Sequence, residues 1–310
     1  MELRKIESRR RVRQCWVHGA LIWVLSGCGA GTPQAPPQTE KVSIIAVGDI
    51  AHCNGLLARN KPWEANARLI NALSATAPIL VLGDMAYEDG TAAEFRDCFN
   101  PSWGQFLSRS FPAPGNHEYY TAQAGPYYDY YGSRAGPDRR GYYSFDIGKW
   151  HLISMNSNID MKIGSPQYQW LQADLEANKN TLCTLAFWHQ ARFGSSLQHV
   201  VDPNQTDAWR LLYNYRVELI LNADEHIYER FGPLDGDGNP DKARGMRQFI
   251  IGTGGADPYS FAIRPDPNSE RRIQGTYGVS TFNLLDNRYE YTFVDSSNQN
   301  ALDVGGETCF

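Results

Sequence analysis

The stretch Val42-Ser43-Ile44-Ile45-Ala46-Val47-Gly48-Asp49 decides the fold. Its largely β-branched apolar run stops abruptly at a glycine and a carboxylate. The same form recurs in Ile79-Leu80-Val81-Leu82-Gly83-Asp84 and in Phe111-Pro112-Ala113-Pro114-Gly115-Asn116-His117-Glu118. Continuous apolar runs of this length predict strands buried on both faces. Each predicted strand therefore leads directly into a polar side chain suited to binding a metal ion.

Two later apolar runs have the same form. Residues 182–188 end at His189, and residues 217–221 lead into Asn222-Ala223-Asp224-Glu225-His226. Helical patterns lie between the runs, at residues 60–73 with Asn60 as the expected cap and at residues 165–178. Alternating strands and helices predict an α/β fold, whose sites lie beyond the carboxyl ends of the strands. The polar residues that end the runs should therefore meet at one edge.

The C-terminal part of the chain is rich in predicted strands. Residues 248–251, 279–284 and 290–295 have strand patterns, the last two joined by Asp286-Asn287 as a hairpin. Residues 142–146 and 150–155 predict another hairpin around Gly148. We therefore expect an α/β fold in which two mixed β-sheets pack face to face with helices on the outside, in one domain over residues 42–310.

The N-terminus differs from the rest of this 310-residue chain, of which 42% is hydrophobic and 20% charged. Residues 1–28 carry six basic residues, then an apolar run, then Leu25-Ser26-Gly27-Cys28. That order is typical of an export signal, and Leu-Ser-Gly-Cys resembles a bacterial lipobox. We expect a signal peptide over residues 1–28 and lipid attachment at Cys28 on the periplasmic or cell-surface side. The alternative is a buried N-terminal helix with an incidental cysteine.

Residues 29–41 are rich in proline and have no apolar face, so they predict an extended tether. Removing residues 1–28 leaves 23 basic and 32 acidic residues. This acidic balance argues against a nucleic-acid-binding surface, and it leaves the lipid anchor as the predicted contact with a membrane. Four cysteines also remain, namely Cys53, Cys98, Cys183 and Cys309.

An even number of cysteines in an exported protein favours disulfides, for which four cysteines allow three pairings. We favour Cys53 with Cys98, because both follow predicted strands near one face. Cys183 with Cys309 would then tie down the C-terminal segment. Four buried thiols are the alternative.

The motifs gain weight from their order, since each one alone is common in turns and loops. Together they resemble the five-block signature of calcineurin-like metallophosphoesterases. Tyr87, three residues after Asp84, and Tyr228-Glu229-Arg230 after His226 resemble the purple acid phosphatase branch and its bacterial relatives. The blocks that carry the resemblance are Gly48-Asp49, Gly83-Asp84-Met85-Ala86-Tyr87, Gly115-Asn116-His117-Glu118, His189 and the segment ending in His226.

The resemblance implies hydrolysis of phosphoester bonds by a metal-bound hydroxide at a binuclear site. Two metals about 3.5–4 Å apart supply a nucleophile at neutral pH and offset developing negative charge. By resemblance Asp84 bridges them and His117 faces the substrate, protonating the leaving oxygen or stabilising the transition state. The mixed oxygen and nitrogen donors suit Fe, Zn or Mn. The implied ligands are Asp49, Tyr87 and His226 on the first metal, and Asn116 and His189 on the second.

Two positions depart from the family pattern. Asp224 stands where the family has the first histidine of Gly-His-x-His, so either it ligates the second metal directly or that site is weakened or empty. Gln190 stands where bacterial relatives tend to have a second histidine, and it can donate a hydrogen bond to phosphate without transferring a proton. Arg192 is a candidate phosphate clamp. His52 is a less favoured substitute for the missing histidine.

Broad phosphomonoesterase activity on small phosphate esters is the leading hypothesis. A phosphodiesterase or nucleotide hydrolase is the alternative within enzymes, because the motifs fix the phosphoryl chemistry and leave the leaving group open. A phosphate-binding lipoprotein with a damaged second metal site is the alternative from another class.

Overall fold

Apolar strands of the N-terminal half form one side of a six-stranded sheet, and strands of the C-terminal part form the other. The computed structural model describes residues 41–54 and 57–310. The first sheet has the order β15-β14-β13-β1-β3-β5, in which β1, β3 and β5 run parallel and the remaining neighbours run antiparallel. Its strands are β1 (Val42–Val47), β3 (Ile79–Val81), β5 (Ser110–Pro112), β13 (Gly278–Leu285), β14 (Arg288–Asp295) and β15 (Ala301–Thr308).

The second sheet has seven strands in the order β12-β10-β11-β9-β8-β7-β6. Its central strands β7, β8, β9 and β11 run parallel to one another. The outer strands β6, β10 and β12 run antiparallel to their neighbours. The strands are β6 (Tyr143–Ile147), β7 (Trp150–Ser154), β8 (Cys183–Gln190), β9 (Leu219–Ala223), β10 (Tyr228–Leu234), β11 (Met246–Ile251) and β12 (Ser269–Ile273). Two short strands, β2 (Ala51–His52) and β4 (Ala86–Tyr87), pair in parallel next to the first sheet's strand ends.

Seven α-helices connect the strands within the described residues. The long ones are α2 (Pro62–Leu73), α6 (Pro166–Ala177) and α7 (Thr206–Asn214). The short ones are α1 (Leu57–Asn60), α3 (Ala92–Glu94), α4 (Asn100–Trp103) and α5 (Gly125–Tyr131). The Ser165 side chain caps α6 by accepting the N–H of Tyr168. At α2 the expected cap Asn60 is wrong: the N-cap is Lys61, whose left-handed backbone (φ 44°) lets Pro62 begin the helix.

The two sheets pack face to face, and β8 shows how. Leu185 and Phe187 join a core shared with the first sheet, whereas Ala186 and Trp188 face α6 and α7. Alternate residues of a strand point to opposite faces, so a continuous apolar run is what a strand covered on both sides needs. The expected fold class, two mixed sheets with helices outside, is confirmed.

The structure also contains strands that the sequence did not predict. Strand β10 follows His226 directly, and β12 and β15 lie at sheet edges. These three contain charged residues at several positions, for example Arg230 in β10 and Asp303 in β15. Their pattern therefore lacks the apolar run on which the other predictions rested.

Both favoured disulfides are present, Cys53 with Cys98 and Cys183 with Cys309. The second one joins the first residue of β8 to the segment after β15, so it links the two sheets. No helix within residues 41–54 and 57–310 has the length and apolar character needed to cross a bilayer. The predicted signal peptide, Cys28 and all of the tether before Lys41 lie outside the described residues, so these boundaries stay predictions.

Glu118 is a buried carboxylate that holds the loops after β3 and β5 together. Its Oε2 accepts the N–H groups of Asp84 (2.9 Å) and Gly115 (2.7 Å), and its Oε1 accepts that of Met85 (2.8 Å). The side chain is fully buried. Three backbone donors therefore depend on one acceptor group.

Replacing Glu118 by Gln should lower the free energy of unfolding by about 1–3 kcal/mol, because the amide keeps one accepting oxygen while its NH₂ group leaves at least one of the three backbone N–H groups without an acceptor. Urea unfolding with chelator at pH 5 and pH 8 measures this. Burial and the charge of Asp84 raise the pKa of Glu118 to about 7, so ionisation lowers wild-type stability as pH rises toward that value, and the loss on substitution should be smaller at pH 8 than at pH 5. Glu64→Gln, at a surface carboxylate near Lys61 and Arg68, is the control and should cost about 0.5 kcal/mol or less. Equal effects would contradict this role for Glu118.

His151 in β7 bonds two carboxylates on neighbouring elements. Its Nδ1 lies 2.9 Å from Asp146 Oδ1 in β6, and its Nε2 lies 2.8 Å from Asp174 Oδ2 in α6. Burial by itself would lower the pKa of His151, but the hydrogen bonds that its ring donates to Asp174 and Asp146 outweigh it and raise the pKa above 6.5. The protonated ring therefore stabilises the fold below about pH 6.5, and this stabilisation is lost as pH rises through the folded-state pKa.

His151→Gln should consequently lower the free energy of unfolding by about 1–3 kcal/mol at pH 6 and by less at pH 9. Urea unfolding of both proteins at several pH values measures the difference between their free energies of unfolding. The contributions of titrating groups that behave alike in both proteins cancel in this difference. A difference that stays constant across this pH range would show that the imidazolium is not the stabilising form.

Candidate metal centre

Three carboxylates reach one point because their backbones leave the strands sharply. Asp49 after β1, Asp84 after β3 and Asp224 after β9 all have left-handed backbone, with φ of 58°, 51° and 69°. Such conformations are strained for residues with a Cβ and are kept where the surrounding structure fixes them. Asp49 helps to fix its neighbour, since its Oδ2 accepts the N–H of Asp224 at 3.0 Å.

Two glycines make the close approach possible. A Cβ on Gly83 would lie 2.4 Å from His189 Nδ1, and a Cβ on Gly115 would lie 2.1 Å from Asp84 Oδ1. No side chain fits at either position without moving these groups. The glycines of the sequence motifs therefore allow the ligand-type residues of neighbouring strands to converge.

The first group of donors surrounds the Tyr87 hydroxyl. This hydroxyl donates to Asp49 Oδ1 at 2.7 Å and to Asp84 Oδ2 at 3.1 Å, and it lies 3.2 Å from His226 Nε2. His226 Nε2 lies 3.5 Å from Asp49 Oδ1. Two carboxylates, a phenol and an imidazole thus point at one small volume.

The second group surrounds His189 Nε2. This atom lies 3.1 Å from Asn116 Oδ1, 3.2 Å from Asp84 Oδ2 and 3.4 Å from Asp224 Oδ1. Asp84 Oδ2 therefore belongs to both groups. The structure thus brings together all seven residues that the sequence offered as candidate metal ligands, namely Asp49, Asp84, Tyr87, Asn116, His189, Asp224 and His226.

The donor chemistry fits a metal ion. Asp49, Asp84 and His189 are buried, and one ligand atom from each lies within 4.8 Å of the others. Buried carboxylates are costly unless a cation or several hydrogen bonds balance them. Within residues 41–54 and 57–310, the side-chain ion pairs of Asp49 and Asp84 are with histidines alone. These residues thus form a site that can hold a metal.

Each histidine predicted to bind metal, His189 and His226, is held through its other ring nitrogen. His189 Nδ1 lies 2.7 Å from the Leu82 carbonyl oxygen, and His226 Nδ1 lies 2.7 Å from that of Asp257. A backbone acceptor at Nδ1 leaves the Nε2 lone pair free to bind a metal. Neither backbone partner was predicted from the sequence.

The electrostatics of the site favour added positive charge. Burial would raise the pKa of Asp84, but His189 and His117 outweigh it and lower the pKa to about 2. Burial would lower the pKa of His189, but Asp84 and Asp224 raise it well above its usual value. Burial, Asp49 and Asp84 all raise the pKa of the Tyr87 phenol. Tyr87 can therefore become a phenolate only beside a strongly polarising cation.

Two of the residues predicted to contact the substrate, His117 and Gln190, lie beside this centre. His117 Nδ1 is hydrogen-bonded to the Glu88 carbonyl oxygen, and its Nε2 lies 3.7 Å from Asp84 Oδ2. Gln190 donates through Nε2 to Asn116 Oδ1 at 3.2 Å and to Asn158 Oδ1 at 3.3 Å. It also accepts a hydrogen bond from Ser157. Gln190 thus orients the Asn116 amide.

Two arginines lie away from the donors. Arg192 does not join them: its guanidinium stacks on Phe193 and on Trp209 in α7. Arg230 forms ion pairs with Asp303 and Glu270.

His52 lies closer to the centre. Its ring stacks on Tyr87, and its Nε2 lies 2.6 Å from Glu88 Oε1.

Tyr259 is a site residue that the sequence did not reveal. Its ring stacks on His226 with centroids 4.0 Å apart. Burial and the charges of Asp49 and Asp224 raise the pKa of Tyr259. Tyr259 lies in a loop of irregular structure, where no periodic pattern marks a contact.

Sequence comparison finds purple acid phosphatases among the relatives of this chain. Purple acid phosphatase 22 of Arabidopsis thaliana is 27% identical over 306 residues, which covers 89% of this chain and 66% of that protein. The chain spans between a third and just under two thirds of the length of the first curated relatives it matches. Among these relatives, purple acid phosphatases recur.

Solved structures share the fold. A purple acid phosphatase from yellow lupin (Lupinus luteus) seeds superposes with a TM-score of 0.72 at 18% identity, covering 88% of this chain and 55% of that one. GAP50, the anchor in the inner membrane complex of Plasmodium, superposes with a TM-score of 0.65 at 12% identity, covering 87% and 89%. A family model for calcineurin-like phosphoesterases matches residues 42–228, more than half of the chain. The chain therefore belongs to the calcineurin-like phosphoesterase family, with purple acid phosphatases among its relatives.

Proposed function

We propose that this protein hydrolyses phosphoester bonds, phosphomonoesters in particular, at a centre that holds two metal ions. The observation that carries the proposal is the position of Asp84. Its Oδ2 lies 3.1 Å from the Tyr87 hydroxyl and 3.2 Å from His189 Nε2, the centres of the two donor groups. A carboxylate shared in this way is what a two-metal site requires.

Asp49, Tyr87 and His226 would hold one ion, Asn116, His189 and Asp224 the other, and Asp84 both. Carboxylate, phenol, amide and imidazole donors suit Fe, Zn or Mn. Two such cations supply a nucleophile from water near neutral pH and offset charge on the phosphoryl oxygens. Because its surroundings raise the pKa of Tyr87, a violet tyrosinate–iron band in the purified protein would indicate ferric iron at the first position.

The other residues handle the substrate. His117, held through Nδ1 by the Glu88 carbonyl, directs Nε2 toward the shared carboxylate and donates a proton to the leaving oxygen. Asn116 presents an amide N–H group for the phosphoryl oxygens, and Gln190, whose own N–H groups bond Asn116 and Asn158, holds that amide in place. Arg192 has no part in this proposal, since it stacks on Phe193 and Trp209.

The preference for monoesters follows the names of the sequence relatives, which are phosphatases. A phosphodiesterase or nucleotide hydrolase would use the same residues with a larger leaving group. A phosphate-binding protein without catalytic activity is the alternative that is not an enzyme. This alternative would apply if Asp224 does not bind the second ion and that position stays empty. GAP50 has the same fold and is described as an anchor.

We further propose export and lipid attachment through Cys28, with a small phosphate ester as partner and no nucleic acid. The two disulfides support an oxidising compartment.

Purified full-length protein should release phosphate from p-nitrophenyl phosphate when Mn, Zn or Fe is supplied, and release nitrophenol more slowly from bis(p-nitrophenyl) phosphate. Asp84→Asn should lower kcat by at least about 10²-fold and reduce bound metal, because the amide removes the shared negative charge. Asp129→Asn, at a surface carboxylate paired with Arg139, is the control and should keep full activity. No turnover of either ester with every metal would refute the enzyme and favour a binding protein.

Asp224 has its own test, the number of metal ions per chain. If Asp224 ligates, wild type and Asp224→His should each bind two ions, and Asp224→Ala should bind about one, because only the first two side chains offer a donor. Elemental analysis after loading and desalting gives the stoichiometry. The same metal content in Asp224→Ala as in wild type would show that Asp224 is not a ligand.

A further inference from the structure

Three aromatic rings, each tilted against the next, form a row of contacts that leads from the candidate metal centre to the surface. The rings of Tyr87 and His117 lie 4.4 Å apart, and those of His117 and Tyr120 lie 4.7 Å apart. Tyr87 is buried, the His117 side chain is 20% exposed, and Tyr120 is 60% exposed. Tyr120 is therefore a large aromatic side chain at the outer end of this row, in contact with His117, and the described structure leaves most of its surface open.

The backbone holds Tyr120 in place relative to the predicted catalytic residues. Residues Glu118–Tyr120 form one 3-10 turn, in which the Tyr120 N–H donates to the His117 carbonyl at 3.3 Å. Its hydroxyl accepts from Asn116 Nδ2 at 3.4 Å. Buried Glu118 fixes the start of this turn. Tyr120 is thus positioned by the same motif that supplies Asn116 and His117.

The geometry of His117 sets the side on which the leaving group must lie. Its Nδ1 faces the Glu88 carbonyl, so Nε2 is the atom that can reach a leaving oxygen. On the inner side of this ring lie Tyr87 and Asp84. The organic part of a leaving group must therefore extend outward, past the exposed ring of Tyr120.

We propose that Tyr120 determines substrate specificity by binding a planar aromatic leaving group, so that aryl phosphate monoesters are preferred over phosphates of small polyols. This inference rests on the proposed function of the same centre. An aromatic ring stacked on Tyr120 gains both apolar burial and ring–ring attraction, whereas a polyol gains neither.

The test compares 1-naphthyl phosphate with glycerol 2-phosphate, using metal-loaded full-length protein. Tyr120→Ala should lower kcat/KM for the naphthyl ester about five- to tenfold, mainly through KM, and leave the glycerol ester within about twofold. Tyr120→Phe keeps the ring and should retain the preference. Tyr215→Ala removes another surface tyrosine, which bonds Glu176 on the helix layer, and should change neither value.

A second measurement does not depend on turnover. 1-Naphthylphosphonate should bind Tyr120→Ala about five- to tenfold more weakly than wild type, while methylphosphonate should bind both equally. Equal losses for both esters, with a shifted pH profile, would show that Tyr120 only supports His117 and would overturn the inference. Wild type that binds naphthylphosphonate no better than methylphosphonate would also overturn it. Failure to hydrolyse either ester, with tighter naphthylphosphonate binding retained, would refute the proposed function alone.

Discussion

The structure depends on placing buried negative charge where a cation can balance it. Asp49 and Asp84 are nearly inaccessible to solvent, and their oxygens lie next to three histidines and a phenol. Burial of two carboxylates so close together would cost several kcal/mol without a positive partner. The parallel strands β1 and β3 bring these groups to one edge, since the carboxyl ends of parallel strands lie side by side.

Positioning at this edge comes from the backbone as much as from the ligands. The three aspartates have left-handed backbone, and Gly83 and Gly115 leave room for neighbouring side chains. Glu118 then fixes the loops after β3 and β5 through three N–H groups. The loops are therefore rigid where the chemistry needs fixed distances, and conformational freedom is removed before any metal or substrate binds.

The departures from the family pattern fall on one side of the centre. Asp224 replaces a neutral imidazole with a carboxylate beside His189, which adds negative charge around the second donor group. Gln190 replaces a titratable ring with an amide that bonds Asn116 and Asn158. Both substitutions keep a polar atom in place while changing its charge or its capacity to move a proton. The first donor group, around Tyr87, keeps the family's residue types.

The sequence by itself determined the inner strands, their order as ligand-bearing units, and the residues that converge at their ends. It could do so because a strand buried on both faces must be continuously apolar, and its polar end then stands out. Edge strands such as β15 carry charges that find partners on other elements, as Asp303 does with Arg230, so their local pattern is ambiguous. Tertiary structure alone decided the stacking of Tyr259 on His226, the carbonyl partners of the histidines and the position of Arg192. Those contacts join residues far apart in the chain, and nothing in the local sequence around either partner records the distance between them.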